Sequence, residues 1–196
     1  MEIQLLTGLC IGLGLSAACG FRVFVPILGV SLAHRAGHLE LGSGFEWLGG
    51  ELALIVLLIA TIIEVSAYFV PWVDNMLDTI AMPAAVVAGT MMTGAMTGEM
   101  SPLLKWSLAA IAGGGAAAAV QTITTVVRGT SSATTGGIGN PIVSTGELAG
   151  SAGITAMALF IPIAAVVILT MIIFYLGYRL TKKKSKTTLE EVPATP

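Results

Sequence analysis

The chain has 196 residues, of which 55% are hydrophobic and only 10% charged, with a formal net charge of −2. Ordinary soluble domains carry roughly 25% charged residues, so this supply cannot cover a soluble surface. The apolar content excludes general disorder, the absence of a large basic surface argues against nucleic-acid binding, and what remains is an all-α, polytopic membrane protein in contact with lipid.

Apolar stretches fall at about 4–32, 51–70, 79–98, 103–127 and 152–178, each long enough for the ~20 residues of a bilayer crossing. Five spans are therefore expected. The first is too long for a straight perpendicular span, since its 29 residues reach about 43 Å against a core of ~30 Å. It must tilt or break, and Gly20, Arg22 and Pro26 mark residues 20–26 as the break point. Cys10 and Cys19 lie nine residues apart in this stretch, about 13 Å along a helix and too far for a disulfide. Leu15-Ser16-Ala17-Ala18-Cys19 has the look of a lipoprotein cleavage site, but no Lys or Arg precedes it, so the span is expected to stay uncleaved.

His34 and His38 stand four apart without a third ligand, which fits interfacial histidines better than a metal site. The following loop, residues 38–50, carries Trp47 as an interfacial anchor. In the second span Glu64 sits at a depth where a charge is costly. It is either an ion or proton site or a partner for Arg22 that holds helices together. Asp74 and Asp78, four apart with Asn75 nearby, share a helix face. They either offer oxygen ligands to a hard cation or favour the start of the third span through its macrodipole.

The third span repeats small residues at Ala81, Ala85, Gly89, Thr93 and Thr97, and the fourth contains Gly113-Gly114-Gly115 before four alanines. Both patterns suit close helix packing. An offset of 100 residues aligns Ile11, Gly14, Ala17, Ala18, Gly29, Ser31 and Ala33 with identical residues of the fourth span. If this is a repeat rather than shared composition, spans three crossings apart run in opposite directions, as in inverted-repeat carriers.

The stretch 129–146, rich in Ser, Thr and Gly, is too polar to span. Its Thr134, Thr135, Gly136, Gly137, Gly139, Asn140 and Pro141 are expected in a re-entrant element, where irregular backbone is buried by protein or lines a wet cavity. Arg128 precedes it and Glu147 follows. Arg22 and Arg128 beside Gly-rich backbone either hold an anion or pair with Glu64 and Glu147. Arg179, Lys182, Lys183, Lys184 and Lys186 in the tail put the C-terminus in the cytoplasm. Residues 179–196 form a separate, polar, disordered tail beyond a transmembrane domain of residues 1–178. With five crossings, the N-terminus then lies outside, whereas a sixth crossing or a re-entrant pair made from the halves of 4–32 would change its side.

The segments GLSAACGFRVFVP, FEWLGG, EVSAYFVPWVDNMLDTIAMPAAVVAG, MSPLLKW and ATTGGIGNPIVSTGE resemble a bacterial family of small multi-pass membrane proteins, domain of unknown function 4126. The resemblance covers residues 5–175. It implies an inner-membrane protein and brings no substrate, catalytic residue or cofactor.

The residues themselves point to a small channel or secondary transporter. Its pathway draws on Glu64, Asp74, Asn75, Asp78, Arg22, Arg128 and Glu147. Four of these are acids and two are arginines, which favours a cation or a proton-coupled small solute. So few short helices enclose little space, so a homo-oligomer goes with this reading. The alternative is a non-transporting scaffold or accessory subunit that docks a partner through its small-residue faces. No nucleophile constellation, metal-binding pattern or cofactor motif is present, so no enzyme is expected.

Overall fold

The computed structural model describes residues 2–98, 100–168, 170, 171 and 175, without the side chains at 2, 71, 72, 74 and 75. The proposed tail, its basic cluster and the end of the fifth expected span lie outside the described residues. Among the described residues the chain forms α1 (Glu2–Cys19), α2 (Phe24–Arg35), α3 (Glu51–Ala67), α4 (Pro71–Met96), α5 (Pro102–Leu108), α6 (Gly115–Thr135) and α7 (Asn140–Phe160), and residues 162–168 are again helical. A 3-10 turn, Glu46–Gly49, precedes α3, and a π-helical segment, Ala109–Gly114, joins α5 to α6 without a break. No strand occurs among the described residues. Among the described residues three helical stretches are long and apolar enough to cross a membrane: Met76–Met96, Pro102–Thr135 and Asn140–Phe160.

The first apolar stretch is not one tilted span. It breaks between Cys19 and Phe24, as Gly20 and Arg22 suggest, and the chain reverses there. Helix α7 acts as a ruler. Going along α7, Ser151 donates to the Ala18 carbonyl and Ala158 packs on Gly14, so α1 runs antiparallel to it. Ser144 meets Arg22, Thr155 packs on Gly29 and Phe160 reaches the His38 ring, so α2 runs parallel to it. The two helices form a hairpin with its apex at residues 20–23. The start of α1 therefore lies at the same end of the bundle as His34, which is the broken-pair alternative for residues 4–32.

Packing of α1 on α4 depends on absent side chains. A Cβ on Gly12 would lie 2.9 Å from the Thr93 Cα, and, where α4 meets α6, one on Gly89 would lie 2.7 Å from the Ala117 Cβ. At this contact Ser16 donates 2.5 Å to the Gly89 carbonyl and shares a 2.9 Å bond with Thr93. The small-residue row thus serves internal contacts first. Gly113 also meets Thr93 while Gly20 meets Ala117 and Val120, so α1 and the α5–α6 helix run parallel. An inverted relation between them does not hold, again because the hairpin removes one crossing.

Residues 129–146 are also not irregular. Helix α6 continues to Thr135 and α7 begins at Asn140, leaving a turn in which Gly136 and Gly137 adopt φ of 63° and 90°. The sequence was misleading because the polar side chains satisfy their own helix: Thr130, Thr134 and Thr135 donate to the carbonyls of Val126, Thr130 and Ser131. Pro141 falls in the first turn of α7, where its missing N–H carries no penalty. The stretch expected as a re-entrant element is folded as a helix–turn–helix, with Thr134, Thr135, Gly136 and Ile138 exposed.

Candidate functional site

Helix α7 turns a polar face inward. Its buried residues are Asn140, Ser144, Glu147, Ser151, Thr155 and Ala158, whereas Ile142 and Phe160 are exposed. This reverses the pattern of a soluble helix and suits a lipid surround. The five polar positions extend about 22 Å along the axis. They make a continuous polar seam along one face of α7.

A cluster of charges interrupts the seam at Glu147. Asp78, Arg128 and Glu147 each lie seven residues from the nearer end of α4, α6 and α7, or about 10 Å inside the helices. The Arg128 guanidinium grips Glu147 with two parallel bonds, Nε to Oε1 at 2.8 Å and Nη2 to Oε2. Such forked pairs are the strongest ionic contacts available to a carboxylate. Arg128 Nη1 also stands 3.6 Å from Asp78. From the hairpin apex, Arg22 Nη2 reaches the same Glu147 Oε2 at 3.3 Å and donates to the Ser144 carbonyl at 3.1 Å. Tyr68 at the end of α3 completes the group, with the Arg22 and Arg128 guanidinium carbons 3.8 and 4.2 Å from its ring centroid.

Glu64 makes contacts that the sequence does not announce. Its Oε1 accepts the Val23 N–H at 2.7 Å and its Oε2 accepts the Phe24 N–H at 3.1 Å. The break leaves the first N–H groups of α2 without helical partners, and no local side chain caps them. A carboxylate from α3 fills that role and favours the positive end of the helix dipole. Glu64 therefore holds the apex backbone rather than the Arg22 side chain.

Arg22 is 2% exposed, yet its Nε and Nη1 have no hydrogen-bond partner. The Thr155 hydroxyl farther along the seam also lacks one. An unsatisfied buried donor costs on the order of 1–3 kcal/mol, and more when charged. Beside the cluster, a cavity of about 410 Å³ between α3 and α4 has Glu64, Tyr68, Val23 and Phe24 on its wall with Ile80 and Ala84 opposite.

Of the residues singled out from the sequence, Arg22, Arg128, Glu147 and Asp78 come together, with Glu64 adjacent at the apex. Asn140 lies farther down the seam, bonded to Ser132 at 3.1 Å. Asp74 and Asn75 belong to α4, and their side chains lie outside the described ones. Among the described residues no group of three or more His, Cys, Asp or Glu is placed to hold a metal ion. Sequence reasoning missed Tyr68, Ser144, Ser151 and Thr155. The signal for the last three was the four-three-four-four spacing of polar residues from Asn140 to Thr155, which puts them on one helical face.

No curated protein and no solved structure matches the chain. A family model does, over residues 9–182, nearly the whole length and every helix of the cluster. The chain belongs to the family described as Domain of unknown function (DUF4126).

Proposed function

We propose that this membrane protein is a small secondary carrier, coupled to protons, whose solute presents a carboxylate or phosphate to Arg22. The observation that carries this reading is the pair of unpartnered donors on a fully buried arginine at the apex of a discontinuous helical hairpin. Ionisable groups at membrane depth mark solute and ion paths, and broken helices at mid-membrane are where carriers bind.

A count of charges alone favours a cation. Their commitments point the other way for the solute: Glu147 is held by two arginines, Asp78 faces Arg128, and Glu64 caps α2. The capacity left over at Arg22 is donor capacity. The group holds two arginines against Glu64, Asp78 and Glu147, so a bound anion adds to a net negative charge in a low-dielectric site. An accompanying proton offsets that cost, which favours symport.

The test is proton entry into proteoliposomes containing a trapped pH dye, driven by inward gradients of succinate, gluconate or inorganic phosphate. Solute-dependent acidification that is lost in Arg22→Gln supports the carrier. Proton flux indifferent to all three solutes and to Arg22 overturns it.

One observation favours the scaffold as a second reading. The outward face of α7 carries Gly146, Ala149 and Gly153, with open space around both glycines. A second copy or another helix could pack there, and cross-linking through single cysteines at Ala149 tests this.

A further inference from the structure

The cavity beside the charge cluster has mainly apolar walls and opens sideways. Helix α3 packs on α2 and on the 3-10 turn before it, and between α3 and α4 lies the space of about 410 Å³. Ala60, Ile63 and Ala67 wall it on the α3 side, and Leu77, Ile80 and Ala84 on the α4 side. Ile63 is 62% and Ile80 58% exposed, so the mouth lies on the outer surface of the bundle. Ile80 and Ala84 stand about 6 and 12 Å along α4 from Met76, where its membrane-length stretch begins. At that depth the surroundings are acyl chains. A space walled in this way offers water few partners, whereas hydrocarbon fills it well.

The inner end of the cavity touches the charge cluster. Tyr68 lines the cavity and also lies against Arg22, whose guanidinium carbon is 3.8 Å from the ring centroid. Val23, the next residue along the chain from Arg22, belongs to the same wall, as does Glu64. The Glu64 oxygens accept the Val23 and Phe24 N–H groups, so the wall holds a carboxylate and is no seat for an anionic group. The unpartnered donors belong to Arg22, one ring away.

We propose that the solute of the carrier is amphipathic. Its carboxylate or phosphate binds Arg22, as in the reading above on which this inference rests, and a hydrocarbon chain attached to it passes Tyr68 and lies in the cavity between α3 and α4. At ~30 Å³ for a group the size of a water, the space takes roughly a dozen methylenes. Succinate and inorganic phosphate are then the weak end of a series in which affinity rises with chain length. The lateral mouth between Ile63 and Ile80 admits the chain from the bilayer.

The test is thermal stabilisation of the full chain in detergent by n-alkylphosphonates from methyl to hexyl, with 1-hexanol as a chain without a charge. Each methylene buried tightens binding by up to about fourfold, so wild type should bind hexylphosphonate at least about tenfold more tightly than methylphosphonate. In Ala84→Phe, whose ring fills the cavity from α4, the two should bind alike and as methylphosphonate binds wild type. Ala60→Phe fills it from α3 and is the second variant where the first does not fold. Equal binding of the two phosphonates to wild type, or a chain-length advantage that survives filling, overturns this inference and leaves the anion site standing. Hexanol binding as tightly as hexylphosphonate also overturns it, since the chain then binds without Arg22. Stabilisation by neither phosphonate removes the anion site itself, and the carrier with it.

Discussion

Replacing Glu64 separates a helix cap from an ion-pathway residue. Its carboxylate accepts two backbone N–H groups, at 2.7 and 3.1 Å, which are orphaned by the break before α2. Charge-assisted hydrogen bonds contribute about 1.5–3 kcal/mol each, so Glu64→Ala, which removes both, should destabilise the protein by about 3–6 kcal/mol. Glu64→Gln keeps one carbonyl acceptor and should cost about half as much. For a chain of this size each kcal/mol corresponds to roughly 2–4 °C in Tm, placing Ala about 6–24 °C below wild type with Gln between them. Thermal unfolding in detergent, followed by tryptophan fluorescence, gives that ordering directly. In proteoliposomes Glu64→Gln should retain transport, because the backbone is still held. A Gln variant with wild-type Tm and no flux would refute the cap and restore Glu64 to the pathway.

Glu147→Gln leaves two buried guanidiniums facing a neutral amide and should cost about 3–5 kcal/mol, while the double variant Glu147→Gln with Arg128→Met should recover part of that loss; additive effects would deny the coupling. Gly12→Leu should prevent the close approach of α1 to α4 and yield protein that fails to unfold cooperatively, whereas Gly115→Ala, in open space, should be neutral within ~0.5 kcal/mol. Gly136→Ala forces a side chain into the left-handed region at φ 63° and should lower stability by about 1 kcal/mol, read by the same melting curve. In a variant lacking Cys10 and Cys19, single cysteines at Leu5 and His38 should react with an impermeant thiol reagent from the same side of sealed vesicles. Labelling from opposite sides would rule out the hairpin.

Composition and hydropathy were enough for the class, and Gly20, Arg22 and Pro26 were enough for a break in the first stretch. What the break does was not legible. Reversal depends on Glu64, 41 residues away from Val23, and no local pattern encodes a cap delivered by another helix. The relative direction of every later helix depends on that reversal, so whether the first and fourth stretches run parallel or opposed was not legible without it. The helical backbone of residues 129–146 was not legible for a local reason: hydroxyls that return to the carbonyl of the preceding turn make a polar helix look like a loop. Arg22, Arg128, Glu147 and Asp78 were found because ionisable residues in an apolar chain are few. Tyr68 was not, since an aromatic at a helix end carries no mark of the two guanidiniums against its ring.

The donors of Arg22 remain the point on which the carrier rests. A high-resolution density map of the protein in lipid nanodiscs, with and without a transported solute, examines them directly. A carrier of the kind proposed shows density in hydrogen-bond contact with Arg22 Nε and Nη1, changing from water to an anionic group when the solute is present. Density that is absent in both states, or identical in both, contradicts it.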